Sequence, residues 1–260
     1  MAQLDGMIQF TGSLQNLSAY KMRGSDKIIL RKKGGPTKKQ VKHSPNFEKT
    51  RRNNKEFGGR AQAAAIIKSN LHPLLFLADH NITGPLNALL KPIQAMDAES
   101  EWGRRNILLT KQPRLLEGFI LNKRYLFDSI VRTPVTCSVQ PERILIDIPA
   151  LLPNINFIVP GNYSWYQFIA VAGQVPDMYY TEHGYMTKDR NTYGWEFNHT
   201  DWLPVNIPAP GGKLIIPGMP PDKPADCCIM VAIGISFGQM QGDTIEPVKY
   251  IGGAKVLMVV

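Results

Sequence analysis

The sequence predicts an α+β fold in three parts: an N-terminal hairpin arm, a short helical middle and a C-terminal antiparallel β-sandwich. Two short strand-like runs flank a turn near the N-terminus, and apolar residues with helical spacing follow them. After Val131 the pattern changes to period two, with turn residues at regular intervals. We place the three segments at residues 1–43, 44–130 and 131–260 of the 260-residue chain.

The first segment is predicted to be a two-stranded hairpin. Residues 17–22 and 27–32 are strand-like, and Arg23-Gly24-Ser25-Asp26 lies between them. Gly and Asp tolerate the backbone angles of a tight reversal, so this tetrapeptide supplies the turn. Because a two-stranded hairpin alone is marginally stable in water, we expect it to dock on its own domain or to pair with another chain.

The middle segment is predicted to be a small helical cluster. Ser44-Pro45 predicts a helix start, with Ser as the N-cap and Pro in the first helical position. We expect Gly58-Gly59 to interrupt this helix and Pro73 to kink the next one, over residues 61–78. A third short helix is predicted over residues 86–96, despite Pro92.

The C-terminal segment is predicted to consist of antiparallel strands. Strand-like runs occupy residues 143–149, 163–175, 213–216, 226–237 and 248–259, with connections rich in Pro and Gly. This spacing is typical of a β-sandwich. The absence of strand–helix–strand alternation argues against a Rossmann or other parallel fold.

The basic residues are concentrated in one part of the chain. The net charge is +9, but the segment from Lys21 to Arg60 alone carries 14 basic and three acidic residues, or +11, so the remainder carries −2. Such a block suggests an anionic partner, whereas the alternative is a solvated arm. The candidate anion- or partner-binding residues are Lys21, Arg23, Lys27, Arg31, Lys32, Lys33, Lys38, Lys39, Lys42, Arg51 and Arg52. Aromatic residues are sparse here, which argues against single-strand binding, since that mode needs stacking platforms.

The segment 177–202 fits no strand pattern and is dense in aromatic residues. A long insertion of this kind is where a sandwich would keep a surface for carbohydrate or protein. The alternative is a loop folded back on the sheet with its aromatic side chains as its own small core. The candidate surface contacts are Tyr179, Tyr180, Tyr185, Trp195 and Trp202.

No pattern indicates catalysis, a cofactor or a metal site. The chain contains no phosphate loop, no Gly-x-Ser-x-Gly and no His-Glu-x-x-His, so we expect it not to be an enzyme and to use no cofactor. Its three cysteines, Cys137, Cys227 and Cys228, match no zinc motif and no disulfide framework. We see no signal peptide and no membrane span, and expect a cytoplasmic protein or a component of an assembled particle.

Short motifs at the two ends of the chain match a known pattern. They are residues 10–20, Gly24, Ile28-Ile29-Leu30-Arg31, Pro36, Thr50-Arg51, Phe57, residues 231–237 and residues 250–256. Together they resemble an uncharacterised bacterial family with an N-terminal Gly-rich hairpin motif and a C-terminal β domain, and the opening motif is also similar to some phage-like proteins. The resemblance implies an architecture and no chemistry.

Two functions of different classes follow from these patterns. The first is a structural or assembly protein, a homo-oligomer or a partner of another subunit, whose N-terminal arm engages its neighbours. The alternative is a nucleic-acid-binding protein that uses the basic segment 21–60. Salt separates the two, because binding to phosphates weakens steeply with salt and strand-paired assembly does not.

Overall fold

The computed structural model describes residues 2–4, 10–21, 26–188, 194–217 and 225–260. The predicted mixture of helices with an N-terminal hairpin and C-terminal antiparallel strands is confirmed. The chain divides into two units, residues 1–51 and 52–260, and the boundary falls inside one helix. No helix in the described ranges is long and apolar enough to cross a bilayer.

The first unit contains a four-stranded antiparallel sheet. The predicted hairpin is present as its two central strands, and two further strands, which the sequence did not predict, pair with its outer sides. The order across the sheet is β1-β4-β3-β2. The strands are β1 (Ala2–Leu4), β2 (Gly12–Leu14), β3 (Leu17–Lys21) and β4 (Ile28–Lys32). The predicted turn tetrapeptide lies largely outside the described residues.

The predicted helix start at Ser44-Pro45 is confirmed, with Ser44 in the N-cap position of a 3₁₀ turn and Pro45 at its first position, although the Ser44 side chain makes no capping hydrogen bond. Helix α1 (Lys38–His43) precedes it and is held by a capping box, in which the Thr37 hydroxyl accepts from the Gln40 N–H and the Gln40 side chain accepts from the Thr37 N–H. Pro45–Phe47 forms a 3₁₀ turn, and α2 (Glu48–Asn70) follows.

Helix α2 is continuous through Gly58-Gly59, so the predicted interruption of the helix at these glycines is wrong. Gly59 is buried against the aromatic ring of Tyr185, and a Cβ at this position would lie 2.6 Å from the ring carbons. The glycine therefore permits a close approach of helix and ring and does not end the helix. The predicted helix over 61–78 instead ends at Asn70, ahead of Pro73, and a 3₁₀ helix covers His72–Leu77.

The remaining helices of the second unit are short. The predicted third helix is confirmed as α3, which accommodates Pro92 in its last turn. The helices are α3 (Thr83–Ala95) and α4 (Phe127–Ile130), with 3₁₀ turns at Leu109–Lys111 and Pro113–Leu116.

In the described part of the second unit, ten strands form the sheets, and every pairing between them is antiparallel. The largest sheet has the order β10-β7-β13-β14, with β11 also paired to β7; β12-β6-β5 and β8-β9 form smaller sheets. The strands are β5 (Thr136–Val139), β6 (Arg143–Ile148), β7 (Trp165–Pro176), β8 (Tyr179–Thr181), β9 (Gly184–Met186), β10 (Trp195–His199), β11 (Leu203–Pro204), β12 (Gly212–Pro217), β13 (Cys227–Gln241) and β14 (Thr244–Val259).

The central strands β7 and β13 are buried on both faces. On one face, side chains such as Val171 and Met230 pack with Ile67, Leu71 and Leu74 from the helical segment. The opposite face packs against β6 and β12, in a second core that includes Phe168, Val231, Ile144 and Leu214. The helical segment and the sheets therefore share one folded unit.

Candidate functional site

The basic residues predicted to bind an anion are divided between the two faces of the first sheet. From the strand register, Lys21 and Lys32 share a face with Leu17 and Ile28, whereas Arg31 lies on the opposite face, its guanidinium 5.3 Å from the centre of the Tyr20 ring. Lys21 also forms an ion pair of 2.7 Å with Asp26, and its ammonium lowers the pKa of that exposed carboxyl group.

The other basic residues of this unit do not form a single site. Lys38, Lys39 and Lys42 lie on α1 and are exposed, as are Lys27 and Lys33. Arg51 has a structural role: its Nη1 donates to the carbonyl oxygens of Val41 at 3.0 Å and Ser44 at 2.8 Å, where α1 ends. Arg23 lies outside the described residues.

One face of the first sheet is mainly apolar. Register places Gly12, Leu14, Leu17, Ala19, Ile28 and Leu30 on this face, together with Lys21 and Lys32. Ala19 and Ile28 are buried, but Leu14 is 57% exposed and Leu17 is 37% exposed. Leu14 on β2 and Leu17 at the start of β3 therefore leave apolar surface in contact with solvent at the β2 edge of the sheet.

Tyr185, predicted as a surface contact, is instead buried. Its hydroxyl donates to the Arg105 carbonyl at 2.8 Å and accepts from the Gln94 side chain at 2.9 Å. Burial raises the pKa of the phenol, so it remains protonated. Its role is to hold helix α2, through Gly59, against the loop that contains Arg105.

A buried ion pair fixes the same loop to α2. Glu56 is 3% exposed, and its carboxylate accepts two hydrogen bonds from Arg105, at 2.7 and 2.8 Å, and one from the Gly103 N–H at 2.8 Å. Burial opposes ionisation of Glu56, but these hydrogen bonds outweigh it and keep its pKa below the usual value. The loop from residue 101 to 105 is consequently held in one position on the helix.

Three cations from α2 and the same loop lie close to two aromatic rings. The Arg52 guanidinium is 5.9 Å from the Trp102 ring centre, while Lys55 at 5.6 Å and Arg104 at 6.0 Å both lie over Tyr180. The Lys55 ammonium also donates to the Tyr180 hydroxyl at 3.2 Å. We call these five residues the cation–aromatic surface.

The structure therefore brings together two of the predicted site residues, Arg52 and Tyr180, which are far apart in sequence. Lys55, Trp102 and Arg104 were missed. The run Trp102-Gly103-Arg104-Arg105 was the available signal, because it places an aromatic residue beside two cations outside the basic segment.

The other predicted aromatic contacts lie elsewhere and are half-buried. Trp195 stacks with His72 at 6.1 Å between ring centres, and the Trp202 ring lies close to the backbone of Gly238. The centre of the Tyr179 ring lies 4.7 Å from the Lys188 ammonium nitrogen, and Tyr179 is on the face of β8 opposite to Tyr180. The predicted loop is thus an ordered part of the sheets wherever it is described, with strands β8, β9 and β10.

Thiols and metal ligands do not converge within the described residues. None of the three cysteines forms a disulfide bond, and no group of three or more His, Cys, Asp or Glu side chains could hold a metal ion there. Burial raises the pKa of the Cys137 thiol to about 11, which leaves it protonated and a poor nucleophile at neutral pH.

Comparison with known proteins does not identify a relative: no family model, no curated protein and no solved structure matches this chain.

Proposed function

We propose that this chain is an assembly protein whose first unit adds its sheet to that of a neighbouring copy. The observation that carries the proposal is the edge strand β2, which among the described residues pairs with β3 on one side only. No charged residue occurs between Phe10 and Tyr20. Natural proteins protect exposed edges with Lys or Pro, and an edge with neither is a template for pairing.

The apolar face of the first sheet favours the same role. A unit of about 50 residues buries too little apolar surface to be stable by itself, so it gains most from a partner that covers Leu14 and Leu17. Two β2 strands that pair antiparallel about a two-fold axis would form one eight-stranded sheet and bring both apolar faces to the same side.

The hairpin geometry identifies the backbone groups that would pair. Leu14 and Leu17 close the two-residue loop Gln15-Asn16 and so form a hydrogen-bonded pair. Ser13 and Ser18, the next residues along the ladder, therefore form a non-hydrogen-bonded pair. The backbone N–H and C=O of Ser13 consequently point away from β3. These groups are available to the β2 strand of a neighbour.

We expect Ser13→Pro to weaken the oligomer, because proline removes the outward N–H. A two-fold pair would lose two hydrogen bonds worth about 1 kcal/mol each, so the dissociation constant should rise roughly 30-fold. Ser13→Ala is the matched control, since it keeps the N–H and should assemble normally. Light scattering during size-exclusion chromatography measures the mass, and circular dichroism checks that both variants fold. A monomeric parent protein at high concentration, or equal masses for both variants, contradicts the proposal.

Two finer expectations belong to this proposal. The two packed sheets, β10-β7-β13-β14 and β12-β6-β5, contribute to one core, which supports their arrangement as a β-sandwich with helices on its outer face. The resemblance to phage-like proteins in residues 10–20 coincides with β2 and β3, the strands to which we assign the assembly role. An assembled particle is the setting in which such an edge would be used.

A second candidate function, binding of single-stranded nucleic acid, is favoured by the cation–aromatic surface. The sequence lacked stacking groups beside its basic residues, but the fold supplies Trp102 and Tyr180 next to Arg52, Lys55 and Arg104. Cations that contact phosphates beside rings that stack on bases are the elements of sequence-tolerant single-strand binding.

The double variant Lys55→Gln and Arg104→Gln tests this second function. In fluorescence anisotropy with a labelled oligothymidylate, the slope of log affinity against log salt should become shallower by about 1.4, since each phosphate contact on a single strand contributes about 0.7. Lys123→Gln with Lys249→Gln removes the same charge from outside the surface and should leave the slope unchanged. If both doubles weaken binding equally, the surface is not the site.

A further inference from the structure

The second unit contains a cavity between its two main sheets, separate from both surfaces described above. Its volume is about 90 Å³, and its walls come from β6, β7, β11 and the segments 149–151 and 209–212. Its lining is mainly apolar, with Ile148, Leu151, Phe168 and Leu203 among the wall residues. Leu151 and Ala209 exchange backbone hydrogen bonds of 2.9 and 3.0 Å, which hold two of the walls together.

One wall residue of this cavity, Tyr166, has an unsatisfied hydroxyl group. Tyr166 is 1% exposed, and its hydroxyl has no hydrogen-bond partner among the described residues. Burial raises the pKa of this phenol, so the group is protonated and can donate. A buried polar group without a partner is costly, and in a native protein it calls for an explanation.

A bound water does not explain this hydroxyl well. A buried water makes about three hydrogen bonds to otherwise unsatisfied polar groups. The other wall hydroxyl, Thr200, already accepts from the Phe168 N–H at 3.1 Å and donates to the Asp201 carbonyl at 2.9 Å. Among the wall side chains, Tyr166 therefore offers a water the one buried polar atom without a partner, and the lining is otherwise mainly apolar.

We infer that the cavity binds a small, neutral carbonyl compound, with its oxygen accepting a hydrogen bond from Tyr166 and its alkyl groups against the apolar walls. The volume limits such a ligand to about four non-hydrogen atoms, since a cavity of about 150 Å³ holds the six carbons of benzene. A carboxylate is a poorer fit, because burying it requires a charged partner. Lys213, the cation in the wall, is 66% exposed and lies 3.9 Å from Asp147.

Acetone and acetate test this inference, because they have nearly the same shape and differ in charge. In nuclear magnetic resonance titrations of the full-length protein, acetone should shift the resonances of Leu151 and Ala209 in a saturable way. Acetate should bind at least tenfold more weakly. Tighter binding of acetate overturns the neutral class, and no saturable shift with either compound overturns the site and leaves a water-filled cavity.

Two variants assign the contacts. Tyr166→Phe keeps the ring and removes the hydroxyl, so acetone should bind roughly five- to tenfold more weakly while the fold is retained. Ala209→Leu reduces the cavity from a different wall and should abolish the shift at Leu151. Unchanged acetone affinity in Tyr166→Phe contradicts the proposed hydrogen bond. These readouts do not depend on oligomerisation, so they stand or fall separately from the assembly proposal.

Discussion

Replacing Gly252 by alanine should destabilise the second unit by about 3–5 kcal/mol, since two penalties combine at this position. Gly252 lies within β14 at φ +125°, a backbone region that is almost restricted to glycine. A Cβ here would also overlap the carbonyl oxygen of Ile235 on β13 and approach the Leu77 side chain at 3.1 Å. Backbone atoms of a central strand cannot move aside without disturbing both cores.

Gly242→Ala is the matched control for this variant. Gly242 lies in the turn between β13 and β14, also at positive φ (+62°), but a Cβ there would meet no atom within 4 Å. Because this backbone region is open to other residues at a modest penalty, we expect a loss of about 1 kcal/mol. Urea denaturation monitored by tryptophan fluorescence measures both values. Similar losses for the two variants would show that the β13–β14 contact at Gly252 is not tight.

Arg105→Met should cost about 3–5 kcal/mol at neutral pH, because it leaves the Glu56 carboxylate buried without its cation. The Glu56 side chain is 4% exposed and that of Arg105 is 24% exposed, so water replaces the lost partner poorly. Thermal or urea unfolding measures the loss. In a Glu56→Gln background the same Arg105→Met change should cost much less, since no charge is left unpaired. An equal cost in both backgrounds contradicts the proposed role of the ion pair.

The free energy of unfolding should change with pH in opposite directions in the parent protein and in the Arg105→Met variant. In the parent protein the pKa of Glu56 is lowered, so its contribution is complete above the unfolded value near 4.5 and is lost as the pH falls through the folded pKa. Without Arg105, burial is the largest remaining influence on the Glu56 pKa, opposed by the Gly103 N–H and the charge of Arg60, so we expect this pKa to rise above its unfolded value. The variant should therefore gain stability as the pH falls from 7 to 5. Unfolding free energies at several pH values reveal the sign.

The sequence correctly predicted the elements whose pattern is local. The apolar face of Ala64, Ile67, Leu71 and Leu74 is fully buried, as its helical spacing indicates. The strand pair of the first sheet was also predicted, because turn residues separate its two apolar runs. Helix boundaries were less accurate: the capping box that starts α1 at Thr37 was missed, and the helix predicted over residues 61–78 ends at Asn70.

The layer arrangement was harder to predict because it depends on contacts between distant segments. Residues 227–237 are apolar with almost no alternation, which is typical of a strand covered on both faces. We interpreted this run as a strand of a two-layer sandwich, which has only one buried face. That interpretation missed the packing of the helices on the other face of the strand. The break predicted at Gly58-Gly59 has the same origin, since only the position of Tyr185, far along the chain, explains a glycine inside a helix.

The candidate surface shows the same limit. Composition located a basic segment, but most of its side chains lie on different faces or, like Arg51, have structural contacts. What groups Arg52 with Tyr180 is the loop held by Glu56 and Arg105. No local pattern encodes that tertiary contact.

The position of β13 at the centre of the sheet also determines when this protein can fold during synthesis. Helix α2, the segment 72–77 and β7 all leave the ribosome before residue 227, yet their apolar surfaces are covered by β13 and β14. A nascent chain that stops short of these strands exposes one whole side of β7 and the inner face of the helices. Folding of the second unit therefore waits until β13 and β14 have been synthesised, and shorter nascent chains expose apolar surface that favours aggregation.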